Sequence, residues 1–382
     1  MVKLKASVPD VWQPVRTIQR ANAWAKDAVT KVDALKDWET EFGWSPLSLM
    51  RGMEFRMSTA CTGIDTPIFA TNLFAAAIEH AHGPGSSFRV TNVHGCEKNG
   101  SCQEEVLWGP HPPRCLFDNM LGWLTAETLQ LLKGVKDSDY EKIASIICQR
   151  PLNAKCHCVQ HGTECYISWS HCNVSGTPCI HHSTFGKRDG MEGVSNKIYC
   201  VWVRQRREIK EPSWILENVT EFGEIETRRL LGDIYEINRV LGNSNKQGWR
   251  SSRLRQFLVG RLLALTPCIP RSVIFSLLPE LASLNNAMVE FFQRRCGFGQ
   301  SEYMIATDEE LAEDLAWART RPHTHLRYNE TELAELFPKW VTSRHCRCGL
   351  LSPISSDAFL STSFVSGCLG AVHLQCQLNR AS

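Results

Sequence analysis

Several things are scarce in this 382-residue sequence, and each scarcity excludes something. No uncharged apolar run reaches the roughly eighteen residues of a membrane-crossing helix. The opening stretch "MVKLKASVPDVWQPV" has no continuous apolar core of the kind a secretory signal carries, so an intracellular chain with no membrane partner is expected. Charge of one sign is not in excess. Lys and Arg number 42 against 40 Asp and Glu, a formal net charge of +2. Bulk charge therefore does not mark a nucleic-acid binder, and any basic surface must be local. Internal repeats of useful length are missing. With 43% hydrophobic and 21% charged residues, a packed core rather than disorder is the expectation.

Cysteine is abundant instead, at seventeen residues. An odd count without a signal argues against a disulfide framework and for free, metal-bound or reactive thiols. The sequons at Asn99, Asn173, Asn218 and Asn329 carry no meaning in an intracellular chain.

The pattern along the chain divides it into four. Residues 1–54 read as a peripheral helical N-terminal extension with Trp12, Trp24, Trp38 and Trp44 scattered along it. From 55 to 262, short β-prone runs alternate with helical stretches. The runs are 55–61, 88–96, 114–118, 172–177, 213–218, 235–241 and 255–260; helices are expected near 67–81, 121–133, 139–148, 195–209 and 223–231. This alternation predicts an α/β fold: a doubly wound, mostly parallel sheet with helices on both faces, which binds ligands at the carboxyl ends of its strands where strand order reverses. Residues 263–345 read as a smaller helical region, with amphipathic stretches at 271–295 and 307–321 and with Asp308 and Glu309 in the first turn of the second. Residues 346–382 have no clear period and read as an irregular tail.

Chemistry collects at the predicted strand ends. The first strand runs into "CTGIDT", where Gly63 allows a tight turn. The second ends at Glu97, placed to accept from two ribose hydroxyls, and the third at Asp118, placed to accept from an adenine amine; for each the plain alternative is a helix cap. The fourth delivers "GTPC" and the fifth "ENV", with Glu217 and Asn218. "RSSRLR" precedes the last strand and puts Arg253 and Arg255 on one side of an extended segment.

In this order, "TPCIHHS" (177–183), "LENV" (216–219) and "RLRQFLVG" (253–260), with the weaker "CTGID" (61–65), "GCEKN" (95–99) and "LFDNM" (116–120), resemble a cytosine-5 DNA methyltransferase. The resemblance covers roughly residues 55–262. It implies a seven-stranded methyltransferase sheet, S-adenosylmethionine as cofactor, DNA or RNA as partner, a nuclear location and a monomer. Cys179 matches the nucleophile that attacks carbon 6 of a flipped-out cytosine, Glu217 the acid at ring nitrogen 3, and Asn218 a residue that orients the loop. Arg253 and Arg255 are the cations expected near the thiol. Gly63, Glu97, Asp118 and Pro178 match the cofactor site, with Cys61 where an aromatic residue is usual. Asp65 and Thr66 replace two glycines, Ser251 a glutamine, and His182 an aromatic. No returning Arg-x-Leu-Thr or Gly-Asn-x-Val segment follows 262, and "LGNSN" (241–245) reads as a plain turn. A degenerate member that only binds nucleic acid or protein is the alternative.

Between Cys148 and Cys172, the residues Cys156, Cys158, His161 and Cys165 are candidate zinc ligands; reduced thiols on a loop are the alternative, and the spacing matches no standard finger. The segment's position before the nucleophile strand would suit a lid. His181 and His182 could tune Cys179 or pack beside the pocket, and His323 and His325 could form a local metal pair or lie on a solvated loop. "RQRREIK" (204–210) reads as a solvated helix face.

Overall fold

The computed structural model describes residues 24–33, 51–179, 181–182, 190–193, 196–243 and 254–265. The expectations for 263–345 beyond its first residues, for 346–382, and for Ser251, Arg253, His323 and His325 lie outside them, as does most of 1–54.

In chain order the elements are α1 (Trp24–Asp33), β1 (Glu54–Ala60), α2 (Thr66–His82), β2 (Arg89–Cys96), α3 (Gly100–Trp108), β3 (Leu116–Phe117), α4 (Ala126–Leu132), α5 (Tyr140–Cys148), β4 (Lys155–Cys158), β5 (Thr163–Tyr166), β6 (Cys172–Ser175), α6 (Asn196–Ile209), β7 (Ser213–Asn218), α7 (Glu224–Leu231), β8 (Tyr235–Asn243) and β9 (Leu254–Leu262). All strands share one sheet in the order β5-β4-β3-β2-β1-β6-β7-β9-β8. The pairs from β3 through β2, β1 and β6 to β7 are parallel, while β9 and the β4–β5 hairpin run antiparallel to their neighbours.

Among the described residues the expected seven strands are therefore nine. The seven predicted runs all pair, and the two extra strands are β4 and β5, in the Cys/His segment read from sequence as a loop or lid. The segment is too rich in cysteine and histidine to carry a β pattern, yet its Lys155–Cys158 half alternates between exposed and buried residues, as a half-buried strand should. It lies at the sheet edge beyond β3, and none of its residues walls the central cavity described below.

The sheet is entered at β1, is wound outward through β2 and β3, then returns to β6 on the other side of β1 and is wound outward again through β7. Strand order thus reverses between β1 and β6, and a crevice opens beyond their carboxyl ends. From Met57 onward β1 is buried on both faces, as a central parallel strand should be, although Ser58 and Thr59 are polar. Three buried polar side chains cross the switch point. Asn173 of β6 donates from Nδ2 to Ser58 Oγ of β1 (2.9 Å), and Ser175 Oγ donates to Asn173 Oδ1 (2.6 Å). The indole Nε1 of Trp202, on α6, donates to the same pair.

Helix α1 is not peripheral. Trp24, Ala25, Ala28 and Val29 form one face, buried in the same cluster as Ala70, Phe74, Ala77 and Ile78 of α2. On the other side of the sheet, α6 is buried nearly all round, which overturns the solvated reading of "RQRREIK". Arg206 is completely buried and pairs with Glu211 at 2.9 Å, Arg204 pairs with Glu208, and Arg207 with Asp233. Trp214 lies against Gly260, where a Cβ would fall 2.0 Å from the indole ring, so the glycine is the space the tryptophan occupies.

A buried histidine, His94, and a half-buried one, His171, tie stability to pH. His171 accepts at Nδ1 from the Arg56 backbone N–H (2.9 Å), which requires that nitrogen to be unprotonated. Burial, then Arg56, pushes its pKa down to about 4. His94 packs edge-on to Phe117, and burial, then Arg206, pushes its pKa down to about 3. Both folded values lie below the unfolded one, so the unfolded chain binds more protons between pH 6.5 and about 3. The stability contributed by neutral histidine is complete above the unfolded pKa and is lost as pH falls toward the folded ones. The urea midpoint is expected to drop from pH 7 to pH 5. His171→Gln, whose amide oxygen can accept the same bond without titrating, is expected to flatten that drop. An unchanged profile in the variant would remove His171 from the account.

Candidate active site

Hydrogen bonds beyond the ladders align the strand ends. Glu97 N donates to Phe117 O (3.0 Å), Cys61 N to Cys96 O (2.8 Å) and Gly176 N to Ala60 O (3.0 Å). Asp118, Glu97, Cys61 and Gly176 therefore stand in a row along the carboxyl edge of β3, β2, β1 and β6. Neither acid is a helix cap. Asn99 caps α3, and Asn119 caps the short 3-10 turn after β3. Glu97 holds the turn after β1: its Oε2 accepts from Gly63 N at 3.0 Å, and its Oε1 from Asn99 N at 2.9 Å. Gly63 has φ 64°, the left-handed conformation expected of a glycine in that turn.

Asp65 replaces a glycine of the resembled family. It too is left-handed, with φ 64°, and its buried carboxylate accepts from Thr62 Oγ1 (3.0 Å) and from Asn92 Nδ2 of β2 (2.8 Å). Burial raises its pKa despite these bonds and that from Thr59.

A cavity of about 300 Å³ opens at the switch point. This is the lower end of the roughly 300–1,000 Å³ typical of small-ligand sites. Of the predicted residues, Cys61, Pro178, Cys179, Glu217, Asn218 and Arg255 wall it; Gly63, Glu97 and Asp118 stand outside its wall on the β2–β3 side. Two of its cysteines differ. Burial, then Glu97, pushes the Cys61 thiol up to about 12, so it stays protonated and forms a neutral wall. Cys179 is half-buried, on a turn closed by the His182 N–H donating to Cys179 O at 2.9 Å.

Each wall residue has a local cause. Gly176 lets the loop pass close to its neighbours, since a Cβ would sit 3.0 Å from the Cys61 carbonyl oxygen and 3.5 Å from Glu217 Oε2. Glu217 opposes Phe257 in the β7–β9 ladder, so Arg255, two residues along, is its diagonal neighbour on the same face. The Arg255 Nε lies 3.0 Å from Glu217 Oε1. The guanidinium expected near the thiol is thus engaged with the acid. Asn218 is buried and joins two strand ends. It donates from Nδ2 to Thr177 O (2.9 Å) and Thr177 Oγ1 (3.2 Å), while its Oδ1 accepts from Val219 N (2.9 Å).

The histidines pack beneath the loop. Gly193 faces the His181 ring with no room for a Cβ. His182 lies 4.7 Å from the Phe222 ring, and from there Tyr199, Trp202 and Trp214 continue the ring contacts into the core. Burial first lowers the pKa of His182. Sequence reasoning overlooked Thr177 and Phe222. Thr177 lies inside the quoted "GTPC" and could have been found there; Phe222 gives no local signal.

Of the candidate zinc residues, Cys158, His161 and Cys165 come together, but Cys156 does not join them; Cys115 takes its place.

Neither a protein-family model nor a curated protein sequence matches the chain. Among solved structures, S. pombe Dnmt2 methyltransferase is similar at 12% identity and a TM-score of 0.39, over 85% of this chain and 97% of that one. A mutant of Spodoptera frugiperda DNMT2 is similar at 14% and 0.35, over 84% and 99%. A putative DNA modification methyltransferase of an E. coli prophage is similar at 14% and 0.34, over 57% of this chain and half of that one. Likeness at this level assigns no function.

Asn218→Ala is expected to strand the Val219 N–H and the Thr177 carbonyl in a buried place. Each such loss costs about 1–3 kcal/mol. The urea midpoint should fall accordingly; a midpoint within error of the parent would mean that the two strand ends are held by something else.

Proposed function

We propose that the protein is a methyltransferase that acts on carbon 5 of cytosine in nucleic acid, with duplex DNA the first substrate to test and transfer RNA the second. One observation carries this reading: Cys179 and Glu217, delivered by successive parallel strands, wall one cavity at the point where strand order reverses. A nucleophile and an acid facing the same small volume suit addition across a polar double bond.

On this reading the Cys179 thiolate adds to carbon 6 of an extruded cytosine. Glu217 hydrogen-bonds ring nitrogen 3 and stabilises the charge that addition places on the ring. Arg255 orients Glu217 through their ion pair, and Asn218 keeps the Cys179 loop against β7. Carbon 5, made electron-rich, takes up the methyl group. Loss of its proton to a base and departure of Cys179 then restore the aromatic ring and the free thiol.

S-adenosylmethionine supplies an activated methyl group when bound. The residues present fit it. Glu97 uses each carboxylate oxygen once, toward Gly63 and Asn99, which leaves lone pairs on both for a ribose diol. Asp118 stands one strand farther along the edge, and Cys61 offers an uncharged wall. Asp65 is tied down by Asn92 and Thr62. A monomer and a nuclear location belong to the same proposal. Among the described residues no helix is long and apolar enough to cross a membrane.

The test uses the full chain with S-adenosylmethionine and 5-fluorocytosine-containing duplex DNA or RNA. Fluorine at carbon 5 blocks the final proton loss, so a covalent adduct stable to denaturing gel analysis is expected with one of the two. Cys179→Ser should abolish both adduct and transfer while calorimetry still registers S-adenosylmethionine. Glu217→Gln should lower transfer about 10²–10³-fold. Cofactor binding without adduct or transfer on either nucleic acid would favour the degenerate binding module and defeat the catalytic reading.

A further inference from the structure

We propose that Cys115, Cys158, His161 and Cys165 form a structural zinc site that fastens the β4–β5 hairpin to the edge of the sheet. The four ligand atoms lie within 4.8 Å of one another. His161 Nδ1 is their common neighbour, at 3.3 Å from Cys165 Sγ, 3.4 Å from Cys158 Sγ and 3.8 Å from Cys115 Sγ. Tetrahedral zinc, with bonds of about 2.3 Å to sulfur and about 2.0 Å to nitrogen, sets nitrogen and sulfur about 3.5 Å apart. The observed spacings bracket that value. Three thiols and one imidazole form a donor set that selects zinc over harder cations and closes a four-coordinate shell without an open position.

The positions follow from the fold. Cys158 and Cys165 face the same side of the hairpin, since Cys165 pairs with Cys156, two residues before Cys158. Gly162, at φ 63°, closes the turn by donating to Cys158 O and carries His161 back over the hairpin. Cys115 comes from a different part of the chain. It immediately precedes β3, and its carbonyl accepts from Gly95 N of β2. Cys158 is fully buried and His161 exposed, so the site would be rooted in the protein and covered by the imidazole.

Physical need supports the assignment. Between β3 and β4 the ladder holds a single residue pair, Phe117 with Cys158, with one further bond from Val159 N to Leu116 O. A short hairpin on a two-residue strand gains little from so few bonds. A metal ligated from both sides of this seam would supply the missing attachment. It would also fix β3, to whose Phe117 carbonyl Glu97 is bonded. Cys156, although central in the local motif, lies outside the set and is buried.

The full chain, purified with zinc supplied and then desalted, is expected to hold one zinc per chain by mass spectrometry of the metal. Cobalt substitution should give the d–d bands of a tetrahedral site and the charge-transfer bands of several thiolates. Cys115→Ser and Cys165→Ser should each weaken zinc binding at least about 100-fold in competition with a chromophoric chelator, whereas Cys156→Ser should bind like the parent. A chain without zinc, an iron-containing coloured protein, or cobalt spectra without thiolate bands would overturn the proposal. Full zinc affinity in Cys115→Ser would overturn this ligand set. The cobalt spectrum of the unmutated chain decides even where a variant fails to fold.

Discussion

The arrangement depends on how firmly β1 and β6 are held side by side. They are adjacent in the sheet but more than one hundred residues apart in the chain, and the crevice exists because the winding reverses between them. Parallel ladder bonds alone would allow the pair to slip. Asn173 prevents this: it is wholly buried, bonded to Ser58 across the seam, to Ser175 along its own strand and to the Trp202 indole above. Another register would break the bonds that buried Ser58 makes to Asn173 Nδ2 and to Ser170 Oγ, and each stranded group costs on the order of 1–3 kcal/mol. The polar cluster thus defines one register, and the register sets where Cys61 and Gly176 emerge.

From that seam the site is built by the β7–β9 ladder on one side and by short tethers between strand ends on the other. Cys61 N reaches Cys96 O, Gly176 N reaches Ala60 O, and Asn218 reaches Thr177. None of the catalytic candidates is in a helix: Glu217 and Asn218 are the last two residues of β7, Arg255 is the second of β9, and Cys179 lies on the loop after β6. The place of Cys179 therefore relies on the turn bond from the His182 N–H and on rings packed from below. The contacts from Trp214 through Trp202, Tyr199 and Phe222 to His182 connect the middle of the core to the turn that carries Cys179. A change deep in this stack would be felt at the thiol although it touches nothing reactive.

The sequence was readable where pattern and burial agree. All seven expected strands pair, because apolar β-prone runs bounded by turn residues have few other places to go. Cys179, Glu217, Asn218 and Arg255 meet at one cavity because Cys179 follows one such run, Glu217 and Asn218 end the next, and Arg255 begins the antiparallel strand beside it. The hairpin was illegible for the opposite reason: "KCHCVQHGTECY" has no apolar alternation, and its strands form against an edge supplied by Leu116 and Phe117 rather than from their own preference. Cys115 was invisible as a fourth ligand because motif reading works along the chain, whereas β3 and β4 meet only in space. The burial of α1 and of Arg206 was equally hidden. Polar and charged letters conceal a buried face when the partner that neutralises them, Glu211 in the case of Arg206, is found only after folding.

Asp65 illustrates how a departure from a pattern can be structural rather than chemical. Read along the chain, an acid in place of glycine in the turn after β1 is a negative charge with no evident partner. Read in space, Asp65 takes the left-handed backbone that a glycine favours, and Asn92 and Thr62 hold its carboxylate. The turn then gains an anchor to β2 that glycine could not give. Thr66 follows as the first residue of α2 and lines the cavity with a hydroxyl-bearing side chain that does not add charge. The altered letters thus leave the bond from the Gly63 N–H to Glu97 in place. At Asp65 the departure is taken up by partners that the fold supplies from Thr62 and from β2, which a reading along the chain could not see.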